Sequence, residues 1–559
     1  MDKLDQAKKN FEEGIKFFKK KDFNQAQIYF EKTLEVAPNS SPTMENLSKS
    51  YLETGDYDKA EKVLKYFISL NKEDDQIAYK LLYEIYSILN KYDELRNLSK
   101  IAIKKNKFDG AFNLKSRLFY PSFFNSKEEI NEVREKFTNE VETMLDDKNL
   151  PTLDLSKNLI KPPNFELLFD DVDNLEINKK LVKLYKKIYP ELSEFSSFSV
   201  QKNEKIKIGF ISQFFTDHSI MKIYKGIIYK LNKDIFDVFV FHSDRTLPGK
   251  SFTEINESVV SYNFENIILP KNFHDKVKVI REKSLDILFY PDIPLSTNLF
   301  YLSFVKLAKF HVTSIGHADT TGNSNIDFFI SAKLMEAEGY QNRYSEKVLL
   351  TKYLPMYYYR PKISFDLKKE DLIKRNIYSC PQNLVKMHPD FDVVLKKILQ
   401  KDKKAKIILI KDRKEVLSKF IFDRLNKIVP EHMDRVEFIN RLTAENFIQH
   451  CGMASIILSP FSVGSGNTFI DSMYYGTPTI TKPTNYSKSL VVAAAYKQME
   501  IVDPPIVNNI DDYVDRAIDI ANNINLELKM YYKEQANKHL YENLGAIKEL
   551  ENIFKSIVK

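Results

Sequence analysis

A chain of 559 residues, 43% hydrophobic and 29% charged, has the length for three or four domains and the composition of a soluble globular protein. Its two cysteines, Cys380 and Cys451, exclude a disulfide framework and a zinc quartet and suit a reducing compartment. The net charge of +7 comes from lysines spread among nearly as many acids, which argues against a nucleic-acid face. Met1 to Lys9 carries charge from the start, and no run approaches the ~20 apolar residues of a membrane helix. A cytoplasmic protein without membrane insertion or a nucleic-acid partner is expected.

Residues 1–110 read as tetratricopeptide repeats. Phe17, Phe18, Asp22, Phe23 and Ala26 recur 34 residues on as Tyr51, Leu52, Asp56, Tyr57 and Ala60, and a weaker copy with Tyr86, Tyr92 and Leu95 follows at 35. That period, with an aromatic in the inter-helix turn and alanine where two helices touch, is the tetratricopeptide one. Residues 111–203 stay helical without the repeat and read as an adaptor, with a capping-box start at Ser126-Lys-Glu-Glu and an apolar stripe through Val133, Phe137, Val141 and Met144. Asp170, Asp171, Asp173 and Glu176 read as a solvated acidic edge. No buried strand or glycine loop precedes them to make Asp171-Val-Asp173 a metal site.

From Lys205 the texture becomes short β runs alternating with helices. Lys205–Ser212, Asp237–Phe241, Asp286–Tyr290, Val312–Ile315, Asp327–Ile330 and Lys347–Leu350 are expected strands of one half, over 204–375. Ile407–Ile410, Arg435–Phe438, Ile456–Leu458 and Thr479–Thr481 are those of a second half, over 376–559, closed by a helical tail from Ile510. Two nucleotide-fold halves enclose a cleft, and ligands collect at the carboxyl ends of their strands.

Four loops fall there. Phe214-Phe-Thr-Asp-His218 follows the first strand, and His218 reads either as an acid, base or substrate contact or as a helix cap. Ser314 to Gly322 brings His317, Thr320, Thr321 and two glycines to a strand end, as a site or as a solvated turn. Asn383-Leu-Val-Lys386 lies at the mouth of the cleft before a helix with Pro389 at its first position, and a fixed Lys386 ammonium there suits a leaving diphosphate. After Ile456-Ile-Leu458, Gly464 and Gly466 lead into Asn467 and Thr468 at a helix start, with Asp471 one turn in. This is an anion site or an ordinary strand-to-helix turn.

Together these loops resemble glycosyltransferase family 41, the family of the O-GlcNAc transferases and the bacterial adhesin-type protein N-glucosyltransferases. The matching words are Lys207-Ile-Gly-Phe-Ile-Ser with His218, Gly316-His-Ala-Asp-Thr-Thr-Gly with Ile326-Asp-Phe, Tyr344-Ser-Glu-Lys347, Asn383-Leu-Val-Lys386, and Gly466-Asn-Thr-Phe-Ile-Asp471 with Gly476-Thr-Pro478. The resemblance covers essentially the whole chain. It implies an α-helical tetratricopeptide solenoid and helical adaptor, followed by an α/β GT-B unit of two Rossmann-like halves. By it, Lys386 falls on the diphosphate-contacting lysine, Asp471 on the acid at the uridine ribose, Gly466, Asn467 and Thr468 on the helix start under the phosphates, and His218 on the histidine at the sugar and acceptor end. His317, Thr320, Thr321 and Asn383 complete the expected substrate-binding set.

The implied reaction inverts the anomeric centre, uses no metal or other cofactor, and moves a sugar, GlcNAc or glucose, from a UDP-sugar. The acceptor is Ser/Thr or Asn of a protein or peptide held in the repeat groove. Where the O-GlcNAc branch shows His-Thr-Thr this chain has Gly466-Asn467-Thr468, and His317 stands where that branch has an aromatic; both lean toward the N-glucosyltransferases. Two rival readings are a catalytically degenerate repeat adaptor and a transferase acting on a lipid or polysaccharide.

Overall fold

The computed structural model describes residues 3–71, 75–105, 110–195, 198–199, 202–243, 264–413 and 415–559, in two compact units, Met1–Pro121 and Ser122–Lys559. The first unit is a run of helices: Lys3–Lys19, Phe23–Val36, Ser41–Thr54, Tyr57–Ser69, Gln76–Ile88, Tyr92–Lys104 and Gly110–Arg117. Phe23, Tyr57 and Tyr92 each open a second helix, so the helices keep the spacing read in the sequence. Ala26 and Ala60, fully buried, allow neighbouring helices to close on each other, and Phe30, Leu64, Phe67, Ile85 and Leu95 fill the core between them.

The second unit holds two parallel sheets. The first has the order β3-β2-β1-β4-β5-β6-β7. Its strands are β1 (Ile206–Ser212), β2 (Phe236–His242), β3 (Glu265–Ile268), β4 (Ile287–Tyr290), β5 (Phe310–Ser314), β6 (Phe328–Ala332) and β7 (Lys347–Thr351). The second has the order β10-β9-β8-β11-β12. It is built from β8 (Ile377–Cys380), β9 (Lys406–Ile410), β10 (Val436–Ile439), β11 (Ile456–Leu458) and β12 (Thr479–Ile480). Two strands are absent from the sequence reading. β3 is an edge strand of Glu-Asn-Ile-Ile with no alternating apolar face. β8 is the centre of its sheet, paired with both β9 and β11, yet Ile-Tyr-Ser-Cys is too short and too mixed to stand out as a β run.

Each order reverses direction beside its first strand, between β1 and β4 and between β8 and β11. Such a reversal splays the following loops apart and leaves a crevice at the strands' carboxyl ends. His218 follows β1; Lys386 follows β8 and the glycine loop follows β11, so the last two straddle one crevice.

The helical tail is three helices, Ile510–Asn523, Leu526–His539 and Leu544–Val558. The first packs in the core of the second half, with Tyr513, Ala517 and Ala521 against Leu395 and Leu458. The last returns to the first half, where Phe554 packs edge-on against Phe236 and Phe289. Helix Ser487–Gln498 also contributes Val492, Ala494 and Tyr496 to that core.

The acidic edge expected at 170–176 is in part turned inward. Asp170 is buried and paired with Arg134 at 2.9 Å, and Asp171, half-buried, takes the left-handed conformation, φ 57°. Burial raises the Asp171 carboxyl above its ordinary pKa, and the nearby charge of Lys488 opposes that rise. Among the described residues no group of three or more His, Cys, Asp or Glu is placed to hold a metal ion, and no helix is long and apolar enough to cross a membrane. Both thiols are buried, which pushes Cys380 up to about 12 and Cys451 higher, so neither is a ready nucleophile.

Because Phe554 ties the end of the chain to the first sheet, Phe554→Ala is expected to cost about 3–5 kcal/mol, read as a lower midpoint in thermal unfolding followed by circular dichroism.

Candidate active site

The second half supplies the cations. Lys386 ends a short 3-10 turn after β8, and its Nζ donates to Gln382 Oε1 and to Gly464 O, each at 3.1 Å. Among the described residues no carboxylate answers the charge, and burial lowers the ammonium to about 8. Gly464 N in turn donates to Lys488 O at 2.9 Å. Lys488 is itself buried, with Nζ donating to Val172 O at 3.3 Å, and the Lys482 ammonium sits 4.3 Å from the Phe461 ring centre.

The loop is held rigidly from behind. Arg424, buried, makes a two-pronged pair with Asp392 at 2.7 and 2.9 Å and donates to Met387 O at 2.7 Å, which fixes the chain just after Lys386.

Around Lys386 and the glycine loop, buried polar atoms lack any partner among the described residues: Gln382 Nε2, Ser462 Oγ, Ser465 Oγ and Asn467 Oδ1. Unpaired buried polar atoms are costly and rare, so a cluster of them beside an ammonium without a carboxylate suits a polar guest, and the donors Gln382 Nε2, Ser462 Oγ and Ser465 Oγ suit an anion. Gly466, Asn467 and Thr468 open helix Gly466–Ser472, and their N–H groups have no carbonyl within the helix to bond.

The first half supplies neutral groups. His218 caps helix Ser219–Lys230: its Nδ1 accepts from Ile220 N at 3.3 Å, and its ring stacks on Phe214 at 4.4 Å. The cap and the ligand readings of His218 are therefore compatible, since an accepting Nδ1 leaves the proton on Nε2. Burial, and then the charge of Arg413 from the second half, lower its pKa. His317 is fully enclosed with neither ring nitrogen partnered among the described residues. Burial, and then Lys488, bring it down to about 3, so it stays neutral. Gly316 beside it is needed because a Cβ would stand 2.1 Å from Pro291 O.

Other expected site residues are used differently. Thr320 Oγ1 donates to Glu346 Oε2 at 2.7 Å, and Thr321 gives both its N–H, at 2.8 Å, and its hydroxyl to Glu346 Oε1. These hydroxyls hold the loop together through Glu346. The adaptor adds Asn178, whose Nδ2 donates to Thr320 O at 2.8 Å, and its backbone fits against Gly322, which has φ 68° and no room for a side chain. Asn383 is exposed and caps its own turn, accepting from Val385 N at 3.2 Å; its neighbour Gln382 is the residue that meets Lys386.

Asp471 departs furthest from expectation. Its carboxylate is buried and accepts from Lys222 Nζ and from Tyr358 OH, each at 2.7 Å. Lys222, Gln382 and Lys488 escape sequence reasoning, because nothing local separates them from other polar residues in a chain this rich in lysine.

No protein-family model matches the chain. It is similar to the probable UDP-N-acetylglucosamine–peptide N-acetylglucosaminyltransferase SEC of Arabidopsis thaliana, 20% identical over 336 residues, covering 57% of this chain and 33% of that protein. It is also similar to the UDP-glucose:protein N-beta-glucosyltransferase of Actinobacillus pleuropneumoniae serotype 5b, 22% identical over 362 residues, covering 60% of this chain and 53% of that protein. The chain thus spans a third and about half of the lengths of these two curated relatives. Among solved structures, an O-GlcNAc transferase mutant from Thermobaculum terrenum matches with TM-score 0.68 at 13% identity, over 100% of this chain and 98% of that one. At that identity the likeness speaks to fold: a helical N-terminal region followed by two Rossmann-like halves in the GT-B arrangement.

Since Glu346 gathers three donors from Thr320 and Thr321, Glu346→Ala strands all of them in a buried loop. It is expected to cost about 3 kcal/mol or more, measured as a shift of the urea unfolding midpoint, whereas Thr320→Val removes the donor to Glu346 and the acceptor of Ser345 N but leaves both Thr321 bonds in place, and costs about 2 kcal/mol.

Proposed function

The chain is a relative of glycosyltransferase family 41, with helical repeats ahead of a GT-B unit, and we propose that it moves a sugar from a UDP-sugar onto a side chain of an acceptor protein. The observation that carries this is Lys386: a buried ammonium held by two uncharged oxygens, beside a glycine loop with unpartnered polar atoms. A diphosphate supplies the missing counter-charge. Its negative charge grows as the sugar leaves, so a cation fixed in advance stabilises the transition state more than the ground state.

The donor's nucleotide lies along the second half, with its phosphates at Lys386 and the N–H groups of Gly466, Asn467 and Thr468. The sugar end points across the cleft to His218 and His317. The acceptor's Ser/Thr hydroxyl or Asn amide attacks the anomeric carbon from the face opposite the departing UDP and so inverts it. His218, neutral and with its proton on Nε2, donates to a sugar or acceptor oxygen and orients it. The helical repeats, whose stacked surface suits an extended peptide, hold the acceptor chain.

Isothermal calorimetry with UDP, followed by intact-mass spectrometry of a co-expressed acceptor offered UDP-GlcNAc and UDP-glucose in turn, tests the reading. UDP binding with a mass increment from one donor supports it, and the increment names the sugar; no UDP binding overturns it. Lys386→Ala is expected to abolish transfer while leaving the circular dichroism spectrum unchanged, and near-native transfer would remove Lys386 from the leaving-group role. Lys386 is charged below about 8 and neutral above it, and the diphosphate binds the charged form. Where UDP is fully ionised, above about pH 7, its affinity should therefore fall as pH rises past about 8; affinity that instead rises over that range would contradict the assignment.

A further inference from the structure

Asp471 has two oxygens and two strong donors, and the donors come from different parts of the unit. Lys222 lies on helix Ser219–Lys230 of the first half, and Tyr358 lies on the segment that leaves β7 toward the second half. The Asp471 side chain is 4% exposed, the Lys222 side chain 38%. The crossing segment is anchored in its turn: Tyr358 O accepts from Glu542 N at 2.9 Å, Tyr357 N donates to Ile223 O at 3.1 Å, and Tyr541 OH donates to Ile470 O. One carboxylate thus ties together the first-half helix, the crossing segment and the second-half helix.

The placement of the pair along its helices matters more than its strength. Lys222 is four residues past His218, one turn along the helix that His218 caps, and Asp471 is four residues past Asn467, one turn along the helix that leaves the glycine loop. A contact between those two turns sets the separation and rotation of the two helix starts, and each start carries a group of the site. A buried ion pair is weak evidence for stability, since apolar side chains of the same volume often hold two surfaces as well or better. What charge and hydrogen bonds add is register, because a carboxylate accepts along defined directions and tolerates little sliding.

We propose that Lys222, Asp471 and Tyr358 form a positioning device that holds His218 against the glycine loop and Lys386, and that Asp471 acts through these partners and not through the donor. The inference rests on the transferase reading of the cleft. It predicts that loss of the ion pair impairs the chemical step while nucleotide binding survives.

Lys222→Met, Lys222→Arg and Asp471→Asn would be compared with the native chain in three measurements: UDP affinity by calorimetry, kcat and KM for the UDP-sugar, and hydrogen exchange of the amides of Ser219–Lys230 without ligand. Lys222→Met is expected to lower kcat about a hundredfold, the size of loss that a misplaced reacting group brings, with UDP affinity and donor KM unchanged and faster exchange in that helix. Asp471→Asn should behave alike, and Lys222→Arg should retain most of the turnover. Native kcat and native exchange in Lys222→Met would overturn the proposal. So would Asp471→Asn that loses UDP affinity while Lys222→Met does not, which would return Asp471 to the nucleotide. Lys222 is partly exposed, so its replacement tests the idea even if Asp471→Asn fails to fold. If the native chain binds no UDP, the transferase reading falls by itself; exchange in Lys222→Met still decides for or against the device.

Discussion

A lysine ammonium withdrawn from water needs counter-charge or a full set of oxygens, and the second half of this unit answers that need in two ways. Lys529 is buried, and Gly452 O, Ala454 O and Thr477 Oγ1 take its three protons. Burial lowers it to about 7, and it is complete as it stands. Lys386 has two oxygens, from Gln382 and Gly464, with unpartnered atoms of Gln382, Ser462, Ser465 and Asn467 close by. The same chemistry closed is a structural strut; left open, it is a request for an anion. That difference, and not the presence of a lysine, is what marks the site.

The fold supplies the conditions under which such a request can persist. Parallel sheets bury both faces, so their loops collect at one edge. The reversal between β8 and β11 opens that edge where Lys386 and the glycine loop emerge. Arg424 fixes the Lys386 turn from below through Asp392 and Met387 O, and Glu346 together with Asn178 fixes the His317 loop on the facing half.

Much of this could be read from the sequence, and the part that could not has one cause. Strands such as β1 and β9 are runs of β-branched and aromatic residues, and the repeats keep their period because each must pack on a like neighbour, so both are local signals. Lys386 and the glycine loop were legible for the same reason, as each lies in a short turn between a strand and a helix. β8 was not, because its place at the centre of a sheet is conferred by β9 and β11 and not by Ile-Tyr-Ser-Cys itself. Side-chain partners were illegible in the same way. Thr320 and Thr321 turn to Glu346, some 25 residues on, and Asp471 turns to Lys222, 249 residues earlier. A motif tells which residue types stand together; which of them face the ligand is decided by partners it does not contain.

The two walls of the cleft differ in charge, and the difference bears on the chemistry. The second half brings Lys386, Lys482 and Lys488, while the first brings His218 and His317, both held neutral by burial and by cations of the second half, Arg413 and Lys488. A guest with one anionic and one uncharged end therefore suits one direction, which in the proposed reaction sets phosphates on the lysine side and sugar on the histidine side. The same neutrality limits His218: with Nδ1 engaged by Ile220 N, the ring presents a proton at Nε2 and has no free lone pair to take one. In the proposed reaction it is suited to hold an oxygen in line, and the acceptor's proton leaves by another route. A hydroxyl or amide that attacks an anomeric carbon already losing its leaving group becomes more acidic as the bond forms, so the demand on a base falls where the demand on Lys386 is greatest.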